Sequence, residues 1–228
     1  LGAETALKNT FYPHLMKPIL ILLLALTLPQ FSPCQEPPIQ TRPTITLPIR
    51  FHLVQSKSLA DMHTTLLESD IQRILGKINQ VWAQAGIQFQ MESITPTTAI
   101  PMDPKMRLKP EFDRVHSMIP KQSLCDHAID ICYVKQVGPN GFYYGEPIVV
   151  KDTAKLREVS GGLDEPLPRV TSHELGHALG LKHRQDNTNL MQSGTTGFSL
   201  NETEITTARI KAQEFLTKHS PKEATVQD

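Results

Sequence analysis

Residues 171–183 read TSHELGHALGLKH, and this stretch restricts the possible folds more than any other part of the 228-residue chain. His173 and His177 stand four apart in a segment of helical pattern, so their imidazoles leave one face about a turn apart and can share one ion. Glu174 projects into the neighbouring sector, where it reaches a water at that ion rather than the ion itself. Gly180 accepts the positive φ of a sharp turn, and His183 then comes back under the ion. Zinc takes neutral His nitrogens at about 2.0–2.1 Å in a tetrahedral shell, and three protein ligands leave the fourth position open, as catalytic sites do.

Two other readings compete. Thr171 with Glu174 has the TxxE form of a helix-starting capping box, although Pro168 would begin that helix a turn earlier. Asp186 is the nearby candidate for a fourth ligand, which would make the site a closed structural one. Against both stands the pattern HExxHxxGxxH, whose five specified positions coincide by chance far less often than HExxH alone.

HELGHALGLKH resembles the metzincin form of the zinc metalloprotease motif at every specified position. Met191, in Thr188-Asn189-Leu190-Met191 eight residues after His183, is similar to that family's Met-turn, a hydrophobic floor under the metal. The resemblance implies a metzincin-like α+β zincin fold with an α/β-like N-terminal lobe. Its parts would be a mixed twisted sheet with an antiparallel edge strand, an active-site helix, the Met-turn and a C-terminal helix. It also implies a zinc endopeptidase with one catalytic zinc on His173, His177 and His183 and with Glu174 as general base. Peptide would lie along an edge strand placed at Phe142 to Ile148, with Phe142, Tyr143, Tyr144 and Gly145 as substrate-binding residues. Calcium or a second zinc is common in the family, but no convincing ligand cluster is present.

Departures from the family pattern bear on the subfamily. Ser193 stands where astacin- and serralysin-like members carry a zinc-ligating Tyr, which favours the matrixin type. Arg184 stands where matrixins usually have Ser and adamalysins Asp. The cysteine cluster of archaemetzincin-like members is missing. SPCQEPP at Cys34 is only faintly similar to the matrixin PRCGxPD switch, and a place at or near a signal cleavage site is the other reading of Cys34. A different class of function is a secreted module that holds zinc without turnover; the intact Glu174 speaks against it.

The rest of the chain frames this site. Lys plus Arg and Asp plus Glu both total 23, which gives no reason to expect nucleic acid or an anionic membrane as partner. The apolar run Leu20 to Leu28 follows Lys17 and ends at Pro29, the pattern of a secretory signal within residues 1–34, with Met16-Lys17 as its natural start. Residues 35–46 are Pro-rich and read as a linker. A catalytic domain over 47–218 and a polar tail over 219–228 complete the organisation. The expectation is a secreted, monomeric enzyme acting on peptide or protein, with no integral membrane segment in the mature chain. Cys125 and Cys132 either pair in an oxidising compartment or stay as half-buried thiols.

Within the domain, alternation predicts strands over 47–55, 87–92, 129–137 and 142–151, with Pro147 marking the last as an edge. Helices are predicted from a Ser69–Gln72 capping box to Gly86, over 111–118 in an otherwise irregular 95–127 connection, over 168–179, and after an Asn201–Glu204 start. The strand, helix, strand order suggests a largely parallel sheet.

Overall fold

The computed structural model describes residues 42–145 and 147–219. The proposed signal region, most of the linker and nearly all of the polar tail lie outside the described residues. Within them the fold is α+β, built on one five-stranded mixed sheet of order β2-β1-β3-β5-β4. The strands are β1 (Ile45–Gln55), β2 (Ile87–Thr98), β3 (Ile129–Val134), β4 (Gly141–Phe142) and β5 (Ile148–Lys151). β1 pairs in parallel with both β2 and β3, β3 pairs in parallel with β5, and β4 closes the edge antiparallel to β5.

β3 is buried at every residue, because it lies in the middle of the sheet with both faces covered. On one face Leu47, Ile49, Phe51, Ile131, Tyr133, Ile148 and Val150 join the main core. Helix α1 (Glu68–Trp82) supplies Ile71, Ile74, Ile78, Val81 and Trp82 to it, and α3 (Pro166–Ala178) supplies Val170 and Leu175. The C-terminal helix α4 (Glu202–His219) adds Ile205, Ala208 and Ala212. The other face carries Val54, Cys132, Val134 and Val149 under Val115 of α2 (Glu111–Met118) and Ile119.

Several boundaries differ from the sequence expectation. β1 begins at Ile45, inside the stretch read as linker, because Ile45 N–H bonds to Gly86 O at 2.9 Å. α1 does not use a Ser69–Gln72 box; Leu67 precedes the helix and its N–H bonds to Asp70 Oδ2 at 2.9 Å. β2 runs on to Thr98, because parallel pairing with β1 as far as Gln55 supplies ladder bonds that periodicity does not reveal. Pro96 is tolerated there since β2 is an edge. β3 stops at Val134 rather than Val137.

The largest correction concerns 142–151, expected as one strand. Gly145 takes φ +84°, the chain reverses before Pro147, and two strands of opposite direction result. Pro147 therefore precedes β5, an interior strand, instead of sitting in an edge strand. α3 starts at Pro166, two residues early, with proline in its first turn. The capping reading of Thr171 fails with it: Thr171 lies mid-helix, its Oγ1 donating to Leu167 O and meeting Tyr133 Oη, both at 2.9 Å. Asn201 and Glu204 do form a reciprocal box at α4, with bonds of 2.9 and 3.0 Å. Cys125 and Cys132 are free thiols, Cys132 buried inside the sheet.

Candidate metal centre and cleft

α3 carries His173 and Glu174 buried, and His177 on the same face a turn later, half-buried. Gly180, at φ +81°, turns the chain, and His183 reaches the other two. His183 Nε2 lies 3.2 Å from His173 Nε2 and 3.1 Å from His177 Nε2. Each of those two imidazoles donates its Nδ1–H to a backbone carbonyl, His173 to Leu190 O at 2.7 Å and His177 to Leu181 O at 2.9 Å. A carbonyl can only accept, so the Nε2 lone pairs are the ones left to converge.

Converging lone pairs repel one another unless a cation lies among them. A tetrahedral ion with bonds of about 2.05 Å sets its ligand nitrogens about 3.3 Å apart, close to the spacings found here. Burial holds the His173 imidazole neutral, its pKa lowered to about 3, and lowers His177 as well. Neutral imidazoles are what zinc requires, so the triad fits a zinc site. Among the described residues these three histidines are the one cluster able to hold a metal. Asp186 does not join it; its carboxylate accepts from Thr188 N–H and Oγ1, both at 2.9 Å. Ser193 Oγ stands 3.3 Å from His183 Nε2, at the rim of the centre.

Met191 is fully buried against α3 at Gly176, between His173 and His177 in sequence. It fits there because Gly176 has no side chain: a Cβ at that position would lie 2.5 Å from Met191 Sδ. The turn holding Met191 is tied down by residues that motif reading missed. Asn189 Oδ1 accepts from Met191 N–H at 2.7 Å, and Asn189 Nδ2 donates to buried Glu204 at 2.8 Å. Glu204 also accepts from Arg184 Nε at 2.9 Å, which gives that departure from the family pattern a partner. Gly176 inside a helix and Arg184 after the third His were the available signals.

The wall after Met191 is likewise anchored. Buried Arg169 donates from Nε to Gly197 O at 2.9 Å and from Nη2 to Gln192 O at 2.5 Å and Asn189 O at 3.3 Å. Burial lowers its pKa to about 10. From the other side, Arg157 N–H bonds to Gly194 O at 2.9 Å and Thr196 N–H to Arg157 O at 3.0 Å. The cleft between this wall and β4 has a volume of about 360 Å³ and is lined by the three histidines, Glu174, Phe142 and Tyr143 among others.

β4 approaches α3 closely at Gly141, where a Cβ would stand 2.8 Å from Val170 Cγ1 and 3.1 Å from Glu174 Oε1. The Glu174 carboxyl is pushed up to about 8 by burial, opposed by the Arg169 guanidinium and by the backbone N–H of Tyr143. Of the four residues expected to bind substrate, Phe142 and Tyr143 line the cleft. Tyr144 is exposed against Phe112, and Gly145 forms the reversal.

The Matrixin family of peptidases (Peptidase M10) matches this chain over residues 134–213. That region, from β3 into α4, is similar to the Matrixin family and includes the histidine triad. No curated protein matches the sequence closely enough to indicate a relative. Among solved structures, the archaemetzincin of Methanopyrus kandleri is similar at 13% identity and TM-score 0.41, over 75% of this chain and 96% of that one. Metalloproteinase-II of Bacteroides fragilis is similar at 14% identity and TM-score 0.42, over 77% of this chain and 55% of that one. A structure described as a chaperone-substrate complex matches at 13% identity and TM-score 0.45, over 75% of this chain. The chain spans 35% of the length of that last protein.

Proposed function

We propose that this chain is an exported zinc-dependent endopeptidase, and that residues 47–218 are its catalytic domain. The observation that carries the reading is His183 Nε2 at 3.2 Å from His173 Nε2 and 3.1 Å from His177 Nε2, beside a buried carboxyl in an open cleft. His173, His177 and His183 would hold the ion over the Met191 floor. Zinc held there would supply Lewis acidity toward a water molecule and the scissile carbonyl. Glu174 takes the proton of the attacking water and returns it to the leaving amine. Its carboxyl is suited to both steps, because burial raises its proton affinity while Arg169 and the Tyr143 N–H stabilise the charged form.

Substrate would add as a strand at the β4 edge, through the two paired residues Gly141 and Phe142 and the adjoining Tyr143. The apolar run Leu20–Leu28 supports export. Among the described residues no helix is long and apolar enough to cross a membrane. The test is digestion of casein or gelatin with and without chelator. Cleavage that chelator stops and zinc restores is the expected result. A folded, zinc-loaded protein that cleaves neither would instead be a binding module.

A further inference from the structure

Residues 139–143 line one side of the cleft, yet this part of the chain has little sheet of its own. β4 pairs with β5 over only two residues, Gly141 with Val150 and Phe142 with Val149, and so short a pairing does not hold a hairpin in water. Its position comes from packing on two sides. Towards the cleft, Gly141 lies against Val170 and Glu174 of α3. Away from the cleft it meets α2, which contacts it at four places.

Glu111 Oε1 accepts from Gly138 N–H at 2.9 Å, and a Cβ at Gly138 would stand 2.4 Å from Glu111 Oε2. The Phe112 ring packs on Tyr144 with centroids 4.4 Å apart. One turn on, the His116 ring packs on Phe142 at 5.4 Å, and His116 Nε2 donates to Pro147 O at 3.1 Å. Phe112 and His116 are thus i and i+4 on one helix face, and they grip the segment on both sides of its reversal at Gly145. Of these three α2 residues, none lines the cleft.

We propose that α2 is a brace for the substrate rim, with His116 and Phe112 as positioning residues that hold Phe142, Tyr144 and Pro147 so that a peptide strand can pair at β4. The proposal rests on the peptidase reading, since it assigns the rim to substrate. α2 makes no contact with the reacting groups, so loosening it weakens peptide binding and leaves the chemical step in place.

The experiment compares full-length, zinc-loaded wild type with His116→Ala, His116→Gln and Phe112→Ala. It reads KM and kcat on a peptide, zinc content, and amide hydrogen exchange of the fragment spanning 138–151. His116→Ala is expected to raise KM about five- to tenfold, the size of one lost part-buried hydrogen bond and its packing, with kcat within about twofold and zinc unchanged. Exchange should rise in 138–151 and not elsewhere. His116→Gln keeps a side-chain N–H for Pro147 O and should recover most of the KM. The brace is overturned if exchange in 138–151 is unchanged, if it rises uniformly over the chain, or if kcat falls while KM stays constant. A wild type without chelator-sensitive cleavage would fail the peptidase reading instead. Exchange alone would then decide, a rise confined to 138–151 supporting the brace and an unchanged profile overturning it.

Discussion

His52 and His173 are both buried histidines, 0% and 5% exposed, and they serve opposite purposes. His52, on the α2 side of the sheet, has a protein partner at each ring nitrogen: Thr97 Oγ1 at 3.0 Å and Asp130 Oδ1 at 2.7 Å. The second Asp130 oxygen accepts from Cys125 N–H at 2.8 Å, so that network closes on itself. His173 Nδ1 has a carbonyl partner, Leu190 O, while its Nε2 faces another imidazole nitrogen, His183 Nε2. The difference lies in what is left unsatisfied. Three imidazole nitrogens converging on one point, buried at His173 and half-buried at His177, fit a metal ion, whereas a completed network marks a structural tie.

That contrast can be tested from both ends. The largest effect should come from Glu174→Gln, which is expected to retain zinc and lower kcat about 10²–10⁴-fold, the usual worth of a general base; a variant that cleaves like wild type would remove Glu174 from the chemistry. Next, His177→Ala should lose zinc by metal analysis, whereas His52→Ala should keep it and lose about 1–3 kcal/mol in denaturant unfolding through the exposed need of Asp130. Should His52→Ala also shed its metal, the two histidine groups would not be independent and the contrast would collapse.

A smaller effect belongs to the floor. Gly176→Ala puts a methyl 2.5 Å from the fully buried Met191 Sδ, and because Met can shift, the expected cost is near the lower end of the ~1–3 kcal/mol of overpacking. Thermal unfolding with zinc bound is the measurement.

Asp70 gives the smallest effect and a half-exposed counterpart to Asp130. Its pKa is lowered by the Leu67 N–H and then by Arg73. A depressed carboxylate stabilises above its unfolded pKa and loses that contribution as pH falls through the folded one. Asp70→Asn should therefore cost about 0.3–1 kcal/mol at neutral pH, screened by water and salt, with variant and wild type converging in acid. A difference that persisted at pH 2 would show that the charge is not the cause.

Sequence pattern located the helices well where one face is apolar and the ends are signalled, as in 111–118 and at the Asn201–Glu204 box. It failed over 142–151, because alternation reports which face a residue shows and not whether the chain has reversed between two apolar stretches. Gly145 and Pro147 were visible, yet Pro147 was read as an edge signal when it belongs to the reversal. β2 was read six residues short because its second half is held by pairing to β1, a partner 43 positions earlier at Arg50 and Ser93.

The spacing of His173, Glu174, His177, Gly180 and His183 could be read from the chain itself, because a helix turn and a glycine stop impose fixed spacings on local sequence, and Met191 followed from the resemblance to a Met-turn. What supports them could not. Arg169 on three loop carbonyls, Glu204 on both Arg184 and Asn189, Gly176 over Met191, and α2 against the cleft rim all join residues distant in sequence. Such contacts depend on where whole elements pack, and only the tertiary structure decides that.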